Sequence, residues 1–190
     1  MPCRRFADGH ITKALSERGS HETSTLPFIP FAQWNTFQIN LSSQEIEVHG
    51  FLDFARELCE QLGIPAGQIV FEITEREAIE DIAGMRTFLR ELRKKGFSFA
   101  LDDFGSGYNS FHYLRELYFD YVKIDGAFIQ NLSHSRTDRA LVRNLTRLCK
   151  ELGMKTIAEY VENQKTLGIL QETEVDFVQG YYFSLPTAGF

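Results

Sequence analysis

From about residue 36 onward the apolar residues follow two rhythms. Short runs that end on a polar or charged side chain are separated by longer stretches in which apolar residues recur every three or four positions. The short runs are FQINL, IVFEI at 69–73, FSFAL at 97–101, YVKID at 121–125, KTIAE and DFVQG. They predict strands near 37–41, 69–73, 97–102, 120–124, 155–159 and 176–179. Leu52, Ala55, Leu58, Cys59 and Leu62 mark a helix that Gly63 and Pro65 end. Ile82, Met85, Leu89 and Leu92 mark a second, with Lys94, Lys95 and Gly96 at its C-terminus. A short helix is expected around Phe111 to Leu117 and a long one after Thr137, carrying Leu141, Leu145, Leu148 and Leu152 until Gly153 stops it. Another short one is expected near Leu167. Residues 1–35 keep neither period, and GSHETST has the composition of a loop. The chain therefore reads as an irregular N-terminal segment, 1–35, followed by one α/β domain, 36–190.

Regular alternation of strand and helix predicts a parallel sheet covered by helices. Six strands fall short of the eight of a closed TIM-type barrel, which typically spans about 250 residues. A doubly wound open sheet would also hold six, but it gathers its ligand at one switch point. Here every strand ends on polar chemistry: Asn40, Glu72, Asp102 with Asp103, Lys123 with Asp125, Glu159, and Gln179. Convergence of strand ends on one face explains that distribution better, so the expected fold is an incomplete (β/α) barrel.

Composition narrows the partners. With 190 residues, 43% of them hydrophobic, the chain can bury one sizeable core. A formal net charge of -6 disfavours polymeric nucleic acid and anionic membrane surfaces. No apolar run approaches the roughly 18 residues of a membrane span, and the N-terminus lacks the apolar block of a secretory signal. Cys3, Cys59 and Cys149 are an odd set without metal-ligand spacing, and the latter two fall beside leucines in helical patterns. A cytoplasmic protein without membrane insertion is expected. His10, His21, His49, His112 and His134 fall in loops or on helix surfaces, and neither a nucleophilic triad nor a Walker-type glycine loop stands out.

Adjacent carboxylates at Asp102 and Asp103 repel one another unless a cation or proton lies between them. Taken alone, the pair would also suit a solvated loop with an Asp helix cap. Glu72 after IVF and Glu159 after TIA shift the balance, because both place carboxylates at other strand ends. Four carboxylates and the Asn40 amide offer hard oxygen ligands, which suit Mg2+, Mn2+ or Ca2+ rather than zinc. Lys123, two residues from Asp125 on the same side of an alternating strand, suits either a structural ion pair or a fixed cation that orients an attacking water or a phosphate oxygen.

The stretches INLSS at 39–43, VFEITE at 70–75, ALDDFGSGYNS at 100–110, YVKIDGAFI at 121–129, IAEYVEN at 157–163 and QGYYFSLP at 179–186 resemble, in order and spacing, the EAL-type cyclic-di-GMP phosphodiesterases of bacterial signalling. The resemblance covers roughly residues 36–190. It implies a barrel whose strand ends hold two Mg2+ or Mn2+ ions and cleave cyclic-di-GMP to linear pGpG. Asn40, Glu72 and Asp102 would ligate one ion, and Asp102 would bridge to a second held by Asp103 and Glu159. Glu159, Asp103 and Lys123 would be catalytic, with Lys123 contacting the attacking water. Gln179 and Asp125 would border the substrate, and Glu75 would support the Asp-Phe-Gly-Ser-Gly-Tyr loop.

The sequence also departs from the family's pattern. The family's Glu-Ala-Leu motif falls before Met1, so five of six expected carboxylate or amide ligand positions stand in this chain. Lys13-Ala14-Leu15 lies too close to Asn40 to replace it, and Glu77-Ala78-Ile79 falls in a helical stretch. PFIPFA at 27–32 resembles the segment that follows the motif, without the helix that normally precedes INLSS. An N-terminally truncated EAL domain with weak or lost activity is expected, the alternative being a catalytically degenerate module that binds nucleotide or protein. The first strand would also present an open edge, to be covered by residues 1–36 or by a homodimer partner.

Overall fold

Six strands form one parallel sheet in chain order among the described residues: β1 (Phe37–Asn40), β2 (Ile69–Thr74), β3 (Ser98–Phe104), β4 (Tyr121–Ile124), β5 (Lys155–Ala158) and β6 (Phe177–Val178). This computed structural model describes residues 36–46, 48–105 and 110–183. The expected irregular segment 1–35, with Cys3, His10, His21, Lys13-Ala14-Leu15 and PFIPFA, lies outside the described residues, as do Ser106, Gly107 and 184–186. Among the described residues eight α-helices connect or follow the strands: α1 (Ser43–Ile46), α2 (Phe51–Leu62), α3 (Glu75–Glu80), α4 (Ile82–Lys94), α5 (Ser110–Glu116), α6 (Gly126–Gln130), α7 (Arg136–Glu151) and α8 (Gln164–Glu172). The result is an incomplete α/β barrel.

The two-residue period of the strands sorts their side chains into two environments. Phe71, Ile73, Phe99, Leu101 and Val122 face the helices and share a core with Met85, Leu89, Leu92 and Leu117. Ile124 and Ala158 continue it against Val142 and Leu170. Residues of opposite parity line the inner side. There Tyr121 meets Phe177 edge-on at 6.3 Å, with the Lys155 ammonium 5.7 Å from the Phe177 ring. One step further along the strands the same parity delivers Glu72, Lys123 and Glu159. An apolar floor thus lies beneath a polar rim.

Helix faces differ from their sequence pattern in two places. On α7 the buried residues are Val142, Thr146 and Cys149, while Leu141 and Leu152 are exposed. The helix buries its Val142, Thr146, Cys149 row most deeply, with Leu145 and Leu148 half-buried against the core beside it. On α2 Leu52 is buried and Cys59 half-buried, but Phe54, Leu58 and Leu62 point away from the sheet. Asp81 separates α3 from α4. Its backbone leaves helical geometry, and its carboxylate accepts the Gly84 N–H at 3.0 Å as an N-cap.

The strand entries are latched by two aspartates in equivalent places. Asp120, just before β4, accepts the Phe99 N–H at 2.9 Å. Asp176, just before β6, accepts both the Thr156 N–H at 2.8 Å and the Thr156 hydroxyl at 2.9 Å. Thr156 is fully buried, so losing the carboxylate strands two polar groups. Asp176→Ala should lower unfolding stability by about 1–3 kcal/mol, read as a reduced urea midpoint at unchanged slope. An unchanged midpoint would show that the latch contributes nothing.

Candidate metal centre

Neighbouring residues of a regular strand point to opposite faces, so Asp102 and Asp103 could not both reach one site. The backbone resolves this. The β3–β4 register shifts between Leu101 and Phe104, and Asp103 adopts a left-handed φ of 54°, which Asp tolerates better than most residues. Oxygens of Asp102, Asp103 and Glu159 consequently lie within 4.8 Å of one another, the carboxylate group best placed to hold a cation among the described residues. The Asp103 N–H donates to Asp102 Oδ1 at 2.9 Å, which fixes the corner.

Lys123 ties the remaining strand ends to that corner. Its buried ammonium lies 3.0 Å from Glu72 Oε2, 3.1 Å from Asp102 Oδ1 and 2.9 Å from Glu159 Oε1. Burial opposes the charge, but the three carboxylates outweigh it and hold the Lys123 pKa above the ordinary lysine value. Glu72 shows the reverse balance: burial pushes it up to about 7 despite Lys123. Burial also raises Glu159 and Asp103, and Asp102 adds to both. One ammonium cannot neutralise four carboxylates.

Two further contacts frame the site. The Gln179 amide donates to Glu159 Oε1 at 2.5 Å, and the Gly105 N–H donates to Glu75 Oε2 at 2.9 Å. Glu75 is itself buried at the start of α3, where Thr74 and Glu77 form a capping pair. Asn40 ends β1 opposite Glu72 in the register, with an exposed side chain. Asp125 does not pair with Lys123. Its carboxylate accepts the Ala127 N–H at 2.7 Å and caps α6.

The donor set fits a hard divalent cation. All the candidates are oxygen ligands, and the buried Glu72 Oε1 has no hydrogen-bond partner among the described residues. An orphaned carboxylate oxygen beside a net negative cluster is what a bound cation would satisfy.

Similarity to known proteins agrees with this arrangement. The EAL domain profile matches residues 19–186. The chain belongs to the EAL domain family. It is 43% identical over 154 residues, 81% of this chain, to the cyclic di-GMP phosphodiesterase PdeB of Shewanella oneidensis, of which it covers 18%. The chain spans 18–29% of the length of that relative and of others such as Rv1354c of Mycobacterium tuberculosis. Among solved structures it resembles the EAL domain of Mycobacterium smegmatis DcpA, with a TM-score of 0.75, 32% identity, and coverage of 80% of this chain and 68% of that one. It also resembles the manganese and cyclic-di-GMP complex of Klebsiella pneumoniae BlrP1, with a TM-score of 0.76 and 30% identity over 80% of this chain and 39% of that one. The BlrP1 structure was thus solved with divalent metal at hand, consistent with the oxygen cluster here. No described helix is long and apolar enough to cross a membrane.

Tyr160, which the sequence pattern did not single out, also borders the centre. It follows Glu159 directly and carries a left-handed φ of 54°. No periodicity signals such a backbone state in a tyrosine.

Two expectations follow for this EAL site. In the folded, metal-free protein Glu72 keeps its proton to about pH 7, against 4.5 ordinarily. The folded state therefore binds more protons between those values, and stability falls as pH rises through that window. The metal-free melting temperature should be higher at pH 5.5 than at pH 7.5, and a flat or opposite trend would contradict the buried Glu72 environment. Mn2+ or Mg2+ should raise the melting temperature at pH 7.5, and Asp102→Asn should remove most of that rise. Absence of any metal effect on the wild type would show that the carboxylates do not form a binding site.

Proposed function

We propose that this site binds two divalent ions, Mg2+ or Mn2+, and hydrolyses one phosphodiester of cyclic-di-GMP to linear pGpG. The observation that carries the reading is the Asp102, Asp103 and Glu159 cluster, knit through buried Lys123 to a Glu72 whose second oxygen is unsatisfied. Membership of the EAL family and its phosphodiesterase relatives support it. Asn40, Glu72 and Asp102 would hold one ion, and Asp102, Asp103 and Glu159 the other. Bound there, the ions would supply Lewis acidity toward the phosphoryl group and a nucleophile at neutral pH.

This chain's own residues do the positioning. Lys123 stays charged at every physiological pH and presents a fixed donor inside the rim, suited to holding an attacking water or a phosphoryl oxygen. Gln179 steadies Glu159, and Glu75 anchors the backbone at Gly105 so that Asp102 and Asp103 keep their corner. Asp125 and Gln179 would border the nucleotide. Free thiols at Cys59 and Cys149 suit a reducing cytoplasm.

Incubation of the purified chain with Mn2+ and cyclic-di-GMP should yield pGpG, and Glu159→Gln should lower the rate by roughly 10²-fold or more, the scale of a misplaced reactive group. Binding of cyclic-di-GMP without pGpG would make the site a nucleotide-binding module instead. Neither binding nor turnover would reject the reading.

A further inference from the structure

Among the described residues, three that are not glycine have positive φ: Asp103, Tyr160 and Glu174. Glu174 follows the end of α8, an ordinary place for such a turn. The other two flank the metal centre. Asp103 gains a ligand position from its backbone, whereas Tyr160 gains none, and a bulky side chain adopts this region only when its surroundings force it.

The surroundings do so from both sides. A Cβ on Gly126 would lie 2.2 Å from the Tyr160 ring, so the ring rests directly on backbone at the start of α6. Gly126 follows Asp125 at the C-terminal end of β4, next to β5. The ring therefore leans from the end of one strand across the end of its neighbour, on the rim that carries Lys123 and Glu159. On the other side the Val161 N–H donates to the Gln179 carbonyl at 3.0 Å, and the Tyr182 N–H donates to the Val161 carbonyl at 2.9 Å. Gly180 sits so close that a Cβ there would meet Val161 N at 2.3 Å. Two close-approach glycines thus clamp the segment that carries Tyr160.

The clamp does not bury the ring. Tyr160 remains 55% exposed although its ring rests on Gly126. A tyrosine serving as core would bury its ring; this one is held rigid and left uncovered beside a cluster suited to a phosphate-bound cation.

We propose that Tyr160 is a stacking platform for a guanine base of the nucleotide whose phosphodiester lies at the Asp102, Asp103 and Glu159 cluster. The proposal rests on the cyclic-di-GMP reading and adds how this chain would grip the base. Cations held by these carboxylates would recognise phosphate and carry no preference for a base. A flat ring one strand away supplies that second contact, and its fixed backbone keeps the ordering cost low.

Tyr160→Gly and Tyr160→Asn both accept φ near 54° and remove the ring, while Tyr160→Phe keeps it. The probe is a hydrolysis-resistant phosphorothioate analogue of cyclic-di-GMP, titrated by calorimetry in Mn2+, with the Mn2+-induced rise in melting temperature measured on each variant. Loss of the ring should weaken nucleotide binding roughly 10- to 100-fold, Tyr160→Phe should stay within about threefold of wild type, and the Mn2+ effect should persist in all. Wild-type affinity in the Gly and Asn variants would overturn the platform and leave the phosphodiesterase reading standing. A Phe variant as weak as Gly would overturn stacking in favour of the hydroxyl. A wild type that responds to Mn2+ but does not bind the analogue would overturn both.

Discussion

One buried ammonium holds the functional end of this barrel together. Lys123 sits within salt-bridge distance of carboxylates from β2, from β3 and from the residue after β5. A buried ion pair repays its desolvation only when the geometry is good, and removing one partner leaves charges uncompensated in a low-dielectric interior. Here three acids would be left facing one another. The lysine makes their approach tolerable without satisfying it, since Asp103 adds a fourth carboxylate and Glu72 keeps an oxygen without a partner among the described residues. Burial pushes Glu72 up to about 7 despite Lys123, and the neighbouring Asp102 and Glu159 add to the rise. The rim is arranged so that either a proton or a divalent cation completes it.

The two ends of the sheet solve different problems. At the strand entries, Asp120 and Asp176 close backbone N–H groups with ordinary geometry, and the demand there is stability. At the strand exits the backbone departs from regularity at Asp103, at Gly105, where a Cβ would meet the Phe128 ring at 2.5 Å, and at Tyr160 and Gly180. Two of the three left-handed non-glycine residues described lie at the exits and the aspartate latches at the entries, which matches the division of labour of (β/α) barrels, whose chemistry lies at the C-terminal ends of the strands.

Strand positions were legible in the sequence because buried parallel strands read as apolar runs, and each run here ends on a residue whose polarity conflicts with burial. IVF before Glu72 and TIA before Glu159 carry that conflict plainly. The orientation of the helices was less legible. On α7, leucines at 141, 145, 148 and 152 suggest the buried face, yet Val142, Thr146 and Cys149 are the deepest, Leu145 and Leu148 are half-buried, and Leu141 and Leu152 are exposed. Likewise YVKID suggests that Lys123 and Asp125 act together, but three acids distant in sequence claim the ammonium and the α6 N-terminus claims Asp125. The left-handed states at Asp103 and Tyr160 had no signal: the first goes with a local register shift in β3, and the second with close approach to Gly126, far along the chain.

Charge sets the last constraint. The chain carries a formal charge of -6 and concentrates carboxylates at the strand exits, where the proposed function would seat a phosphodiester. An anionic ligand meets repulsion there until cations reverse the local sign. Lys123 cannot reverse it, being already surrounded by acids. Under the proposed function, recognition of a nucleotide at this rim would be coupled to metal, because oxygens that repel phosphate when empty would attract it through a shared cation once filled. A neutral contact beside the cluster escapes that coupling: an exposed aromatic face such as Tyr160 neither depends on the ions for its attraction nor competes with them for ligands.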